Sequence, residues 1–402
     1  MIGSVVVVGA SLAGMHAAHT LRREGFDGRI SVVDADDATP YDRPPLSKQV
    51  LAGDWEPDRI VLPAAVEDLD LDLHLGRRAM ALDRVERFVR LDGGDRLGFD
   101  GLVVATGAAA RWLPRSEELD GVHVLRSLDD CLRLRTALDE HPNRVVVVGA
   151  GFIGAEVAAT CRGRGLDVTL LEAADVPLER ALGTRIGAVM ADLHRDHGVD
   201  VRLGVGVDGL EGTDRVEAVR LADGSMIEAE VVVVGIGVVP NVDWLAGSGL
   251  NVDDGVVCDE TLLAAPGVVA AGDIARWPSA RYGEYLRVEH WETAIAMGET
   301  AARRLLADDR DGEPERFDPV PWFWSDQYDR KIQLAGRSRA DDDVEIVNGS
   351  LEERRFVALF GRDGTVAGVL GMNRPAHVVR LRALVESRTP WDEGLAAAKE
   401  LA

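Results

Sequence analysis

Two stretches of the chain carry the same pattern of apolar and small residues. Residues 4–18, SVVVVGASLAGMHAA, and residues 144–159, RVVVVGAGFIGAEVAA, each run four valines into a glycine turn and then into an alanine-rich stretch of helical character. A short unbroken apolar run followed by such a stretch predicts a parallel strand, buried on both faces, entering a helix. The likeness continues downstream, in RFVRLDGGDRLGFDGLVVATG at 87–107 and DRVEAVRLADGSMIEAEVVVVGIG at 214–237. Each of these predicts a strand, a turn with Asp-Gly or Gly-Gly, a second strand, and an apolar strand ending in glycine. The pattern therefore predicts an α/β chain with two Rossmann-like domains of one architecture.

A strand that turns through glycines into a helix turns backbone N–H groups and the positive helix end toward a diphosphate, and small residues permit close approach. The second turn is Gly149-x-Gly151-x-x-Gly154, with Ile153 inside it, and the following strand LDVTLLE ends at Glu172, 23 residues after Gly149. An acid at that place holds a ribose diol. The first turn is Gly9-x-Ser11-x-x-Gly14, with serine at the central position, and its next strand ISVVDAD ends at Asp34 and Asp36. Gly107 and Gly237, which close the apolar strands, belong to the same two candidate sites. Two dinucleotide domains in one chain point to a tightly held flavin and an exchangeable nicotinamide.

Length and charge narrow the reading. A chain of 402 residues exceeds one core and fits two or three domains. A formal net charge of −24 opposes binding to nucleic acid or to anionic membranes. No apolar run approaches the roughly 18 residues of a membrane helix, and Met1 leads straight into the first valine run, so a cytoplasmic enzyme is expected. Cys131, Cys161 and Cys258 form no CxxC pair and read as core residues, and neither they nor His16 and His290 form a metal constellation, so no metal site is expected.

The chain resembles the two-dinucleotide-binding flavoprotein reductases, and among them the oxygenase-coupled ferredoxin reductases. The likeness is carried by PYDRPPLSK (40–48), LVVATGAAAR (102–111), GAGFIGAE (149–156), VVVVGIGVVPN (231–241), TLLAAPGVVAAGDIA (261–275), RVEHWETAIAMG (287–298) and PWFWSDQYD (321–329), in this order. It implies a discontinuous FAD domain over 1–110 and 241–317, an NAD domain over 111–240, and a C-terminal α+β domain over 318–402. The charged stretch LADDRDGEPERFDP at 306–319 reads as the linker to that last domain.

Carried over by position, the resemblance implies that the first glycine turn, with Ala13, faces the FAD diphosphate. Asp273, Arg43, Lys48, Ala79, Thr106, Arg126 and Trp291 complete that site. The family commonly has Gly-Asp-Glu after the second strand; this chain has Asp34-Ala35-Asp36, which leaves open which aspartate meets the ribose. Arg180 matches a family arginine near the NAD adenosine. Lys48 matches a lysine near the flavin N5, where a cation stabilises negative charge on reduced flavin. Glu156 is either the partner that neutralises Lys48 or an acid favoured by the first turn of its helix.

The stretch RPPLSKQVL has no cysteine, whereas disulfide reductases, NADH oxidases and peroxidases of this fold need one there. The implied activity is transfer of electrons from NADH through FAD, one at a time, to a [2Fe-2S] ferredoxin serving a cytochrome P450 or a ring-hydroxylating oxygenase. The alternatives are reduction of rubredoxin or a small molecule, or a nonenzymatic NADH-sensing flavoprotein. Phe323 and Trp322 read as packing residues of the C-terminal domain, and Trp324 as a residue of the flavin or partner face. Arg304, Arg330, Lys331 and Arg374 are candidate cations for an acidic partner.

Overall fold

A computed structural model describes residues 2–62, 69–307 and 312–400. Residues 308–311 of the expected linker lie outside the described residues. The chain divides into two compact units, one of residues 1–43, 57–109 and 238–319, the other of 44–56, 110–237 and 320–402.

In the first unit the valine run forms the strand Ser4–Val8. It lies inside a six-stranded sheet ordered Leu263–Ala265, Val268–Ala270, Gly101–Val104, Ser4–Val8, Arg29–Val33, Leu71–His74. Four of these pairings are parallel and only the edge pair Leu263–Ala265 with Val268–Ala270 is antiparallel. Val5 to Val8 are buried, as an apolar run flanked on both faces requires. The helix Leu12–Arg23 lies against the helix Trp291–Ala307 so closely that a Cβ on Gly298 would stand 2.2 Å from the Ala13 carbonyl oxygen.

The second unit repeats the plan with an all-parallel sheet ordered Asp200–Arg202, Val168–Leu171, Val145–Val148, Val231–Val234, Val122–His123. Both units also carry the expected hairpin before the last apolar strand, but each hairpin gains a further strand, Ala79–Asp83 in one and Val207–Gly212 in the other. Register shifts interrupt both added strands, and a bulge breaks the period of two by which a strand is read from sequence.

Residues 322–372 of the second unit form a five-stranded antiparallel sheet ordered Trp322–Gln327, Arg330–Gly336, Thr365–Met372, Arg355–Arg362, Asp343–Ser350. One face takes Val378, Leu381 and Val385 of the helix Pro375–Glu386 with Ala398 of Trp391–Glu400. The other takes Leu182, Ile186, Val189 and Met190 of the helix Glu179–Asp196. Phe323 and Trp322 join these two apolar clusters, in keeping with a packing role. Among the described residues no helix is long and apolar enough to cross a membrane.

Candidate functional site

The first glycine turn is dictated by backbone geometry. Gly9 has φ +112°, and a Cβ on it would lie 2.1 Å from the Ala105 carbonyl oxygen, so only glycine fits. A Cβ on Gly14 would stand 1.8 Å from Gly9 O, which seats the helix start directly on the turn. Ser11, the departure from a third glycine, is the N-cap with φ −84° and ψ −170°, extended backbone open to any residue. Its equivalent Gly151 has φ −69°, and a Cβ there meets nothing within 4 Å. The space over the central position is thus open in the second turn, and serine in the first costs no strain.

Neither helix carries an acid in its first turn, and neither N-cap side chain caps it, so the positive end and its amides remain available to an anion. Ser11, Asp34, Asp36 and Arg43 line one concavity with Ala10, Ala38, Pro40 and Tyr41, and Arg43 Nη1 donates to Ser11 Oγ. The residues present therefore fit a dinucleotide: a bare helix end, a guanidinium beside it, and a carboxylate at the tip of the next strand.

The two turns superpose in their bonding. Gly9 N–H donates to Val33 O at 2.7 Å and Gly149 N–H to Leu171 O at 2.8 Å. One residue further on, Asp34 Oδ2 accepts the Ala10 amide at 2.5 Å, and Glu172 Oε2 accepts the Ala150 amide at 2.8 Å. Asp34 Oδ1 takes the Asp36 amide at 2.9 Å, as Glu172 Oε1 takes the Ala174 amide at 3.0 Å. Asp34 thus occupies the place of Glu172. Asp36 instead accepts the Tyr41 hydroxyl at 2.7 Å.

Ala13 lies where a Cβ on Gly272 would stand 3.0 Å from its own, which brings the turn Gly272–Ile274, with half-buried Asp273, beside the first helix start. Thr106 and Gly107 follow the strand Gly101–Val104, and Asn241 joins them: Thr106 Oγ1 donates to Asn241 O at 3.0 Å and Asn241 Nδ2 to Thr106 O at 2.8 Å. Trp291 opens its helix and donates its indole N–H to Asp42 at 2.7 Å. Ala79 begins the strand Ala79–Asp83 and packs against the first unit's core.

The second unit holds Gly149, Gly151, Ile153, Gly154, Glu172, Gly237, Arg180, Arg126, Lys48 and Glu156. Gly154 repeats the close approach of Gly14, and Gly237 has φ +98°. Ile153 projects its side chain outward, 48% exposed, and Arg180 is exposed near the start of its helix. The Arg126 amide donates to the Asp130 carboxylate next to the Ser127 capping box.

Lys48 Nζ lies 2.7 Å from Glu156 Oε2. Pro44–Ser47 is a single 3₁₀ turn that hands Lys48 to a short helix as its N-cap. The segment is fixed by Cys131 Sγ on Leu46 O at 3.1 Å, Thr160 Oγ1 on Ser47 O at 2.8 Å and Arg164 Nη1 on Leu51 O at 2.9 Å. Glu156 is the fifth residue of the helix Phe152–Gly163 and 3% exposed, which corrects its expected place in the first turn. A buried carboxylate in the second turn answers to its partners and not to the helix end. Those partners are Lys48, Ser47 Oγ at 2.5 Å, and Ser325 Oγ at 2.7 Å to the other oxygen.

The three cysteines are free and buried, and burial pushes each thiol up to about 12, so none supplies a thiolate near neutral pH. Among the described residues no group of His, Cys, Asp or Glu is arranged to hold a metal ion.

Residues 3–298 match the family model described as pyridine nucleotide-disulphide oxidoreductase, and residues 322–401 match the one described as reductase C-terminal. The chain belongs to the pyridine nucleotide-disulphide oxidoreductase family. It is 37% identical to rhodocoxin reductase of Rhodococcus erythropolis over 96% of this chain and 90% of that one. It is 36% identical to putidaredoxin reductase of Pseudomonas putida, covering 98% and 94%. The crystal structure of the covalent putidaredoxin reductase-putidaredoxin complex matches with a TM-score of 0.91 at 35% identity over 99% of both chains. This family member is an oxidoreductase that carries no disulphide of its own.

Sequence reasoning missed Ser47 and Ser325, the two hydroxyls on Glu156, and Asn241 beside Thr106. A serine within a polar stretch carries no signal of burial; only the inward phase of the strand Trp322–Gln327 would have marked Ser325. Arg304, a candidate docking cation, is 8% exposed and donates to Thr261 Oγ1 at 2.9 Å, so it does not serve a surface. Arg330 and Lys331 are ion-paired with Asp329 and Asp326.

Proposed function

We propose that this oxidoreductase is an NADH-dependent, FAD-containing ferredoxin reductase of the cytoplasm. It passes electrons one at a time to a [2Fe-2S] ferredoxin that serves a cytochrome P450 or a ring-hydroxylating oxygenase. The observation that carries the reading is a pair of equivalent dinucleotide turns, each closed by an acid, in a chain with no reactive thiol. Electrons arriving from a nicotinamide then have no protein carrier and leave from the flavin. Relatives named as reductases of putidaredoxin and rhodocoxin support the acceptor.

FAD, when bound, supplies the change from a two-electron hydride to single electrons. In this reading Asp34 receives the FAD ribose, while the bare start of Leu12–Arg23, Arg43 and Asp273 hold its diphosphate and ribityl end. Ala13, Ala79, Thr106, Gly107, Arg126 and Trp291 shape that site. Glu172 receives the NADH ribose, with Gly149, Gly151, Ile153, Gly154, Arg180 and Gly237 around the second turn. Lys48 holds positive charge for the reduced flavin, and Glu156 orients its ammonium group. These roles divide the chain into the FAD domain 1–110 with 241–317, the NAD domain 111–240 and the C-terminal domain 318–402.

The test is NADH-dependent cytochrome c reduction with and without added [2Fe-2S] ferredoxin. Rapid reduction only with ferredoxin supports the reading. Equal rates without it point to a small-molecule acceptor, rates supported only by rubredoxin move the acceptor, and NADH binding without turnover makes the chain a sensor.

A further inference from the structure

The strand Trp322–Gln327 is built against its usual polarity. Its inward positions, Phe323, Ser325 and Gln327, include two polar residues that are fully buried, at 0% exposure. A buried hydroxyl and a buried amide each cost free energy unless their hydrogen bonds are made, so their partners define what the strand does.

The bonds around Ser325 fix its donor and acceptor roles. Glu156 Oε1 accepts from Ser325 Oγ at 2.7 Å, and the single hydroxyl proton of Ser325 is spent there. Ser325 Oγ must therefore act as acceptor toward its other neighbour, and it receives Gln327 Nε2 at 3.2 Å. The Gln327 amide is thereby oriented with its carbonyl Oε1 away from Ser325. That oxygen and His194 Nε2 are both buried and each lacks a hydrogen-bond partner, one an acceptor and the other able to donate, and Gln327 is among the groups that act on the His194 proton affinity. The opposite ring nitrogen, His194 Nδ1, lies 2.9 Å from the Tyr328 hydroxyl. Tyr328 stacks on exposed His197, with ring centroids 3.7 Å apart and 6° between planes.

We propose that Tyr328, His194, Gln327 and Ser325 form one hydrogen-bonded chain whose donors all point toward Glu156, and that Ser325 is a positioning residue for the Lys48–Glu156 pair. The chain reads Tyr328 O–H to His194 Nδ1, His194 Nε2–H to Gln327 Oε1, Gln327 Nε2–H to Ser325 Oγ, Ser325 O–H to Glu156 Oε1. Each bond polarises the next, and the last one fixes one carboxylate oxygen so that the other stays committed to Lys48 and Ser47. The C-terminal sheet then sets the placement of the Lys48 ammonium and does more than pack against the helix Glu179–Asp196. Burial lowers the His194 pKa to about 4, which keeps the ring neutral at physiological pH, so one ring nitrogen donates and the other accepts.

The role of the pair in hydride transfer rests on the function proposed above; the hydrogen-bond chain does not, and the experiment separates the two. In the FAD-loaded protein, ¹⁵N NMR should show His194 as the neutral Nε2–H tautomer at pH 7; an Nδ1–H or a charged ring overturns the chain. Acetic anhydride labelling of Lys48, followed by mass spectrometry with Lys331 as internal reference, should proceed about three- to tenfold faster in Ser325→Ala. It should return to the wild-type rate in Ser325→Thr, which restores the hydroxyl. Unchanged labelling in Ser325→Ala overturns the positioning role, as does acceleration that Ser325→Thr does not reverse. If wild type reduces its flavin with NADH, Ser325→Ala should lower the limiting rate about five- to tenfold at unchanged NADH affinity; an unchanged limiting rate also overturns it. If wild type does not oxidise NADH, the proposed function fails while the tautomer and labelling results still decide the chain.

Discussion

Lys48 and Glu156, 108 residues apart in sequence, stand 2.7 Å apart in the fold, with side-chain exposures of 12% and 4%. A pair this shielded is screened little by solvent, so removing one partner leaves a charge that the interior must accommodate. Lys48→Ala should slow flavin reduction by NADH at least about tenfold while changing NADH affinity little, because its charge acts where negative charge develops. Stopped-flow kinetics over a range of NADH concentrations checks this. Ser47 and Ser325 remain as donors to Glu156, so the stability loss should stay near 2 kcal/mol, below the roughly 3–5 kcal/mol of a fully abandoned buried charge. A limiting rate equal to wild type would remove Lys48 from the reaction.

The equivalence of Asp34 and Glu172 gives a second expectation. Asp34→Ala removes the carboxylate that meets the Ala10 amide at the mouth of the first turn, and should weaken FAD retention by about ten- to a hundredfold. Asp36→Ala loses the Tyr41 contact and should matter less. Release of flavin fluorescence on dilution measures both. Greater loss in Asp36→Ala would reverse the assignment.

Both glycine turns were legible because they rest on backbone constraints that few residues satisfy: Gly9 and Gly149 sit at positive φ against a carbonyl, and Gly14 and Gly154 against the preceding turn. The parallel valine strands were legible for a similar reason, since burial on both faces demands an unbroken apolar run. The strands Ala79–Asp83 and Val207–Gly212 were not, because bulges break their alternation. Lys48 came from resemblance to a family, and no spacing rule would have joined it to Glu156. Ser325 and Gln327 were hidden by the convention that polar strand positions face water. In this strand they face inward, where Ser325 donates to the buried Glu156 carboxylate and Gln327 donates to Ser325.

Acid should destabilise the fold through His194. Its folded pKa of about 4 lies below the ordinary 6.5, through burial, so the unfolded chain binds the extra proton first as pH falls. The stabilisation from keeping this ring neutral is complete above pH 6.5 and is lost progressively as pH falls from 6.5 to about 4, by up to about 3 kcal/mol. Burial lowers His16, His123 and His377 in the same direction, so they add to the slope. The difference between wild type and His194→Gln isolates the one residue. Urea denaturation from pH 7 to 4.5 should show a shallower decline in the variant, and parallel curves would refute the attribution.

The choice of nicotinamide rests on Glu172. Its two oxygens are anchored by the Ala150 and Ala174 amides at 2.8 and 3.0 Å, which hold the carboxylate rigidly at the mouth of the second turn. In the proposed role it accepts hydrogen bonds from the ribose hydroxyls of NADH through its remaining lone pairs, but it meets the 2′-phosphate of NADPH with like charge. Rigidity strengthens the discrimination, because a carboxylate tied by two backbone amides does not swing away from a phosphate. The residues that follow, Ala173 and Ala174, bring no side-chain donor that would offset the repulsion. Arg180, eight positions after Glu172, is exposed near the start of the helix Glu179–Asp196 and offers partial compensation. A cost of about 2–3 kcal/mol for one unpaired charged contact corresponds to a preference for NADH of about 30- to 150-fold in kcat/KM. Steady-state kinetics with both nucleotides should show that preference in wild type and a marked fall in Glu172→Ala, with Arg180→Ala widening it. Equal use of NADPH by wild type would defeat the argument, and an undiminished preference in Glu172→Ala would move the determinant to another residue.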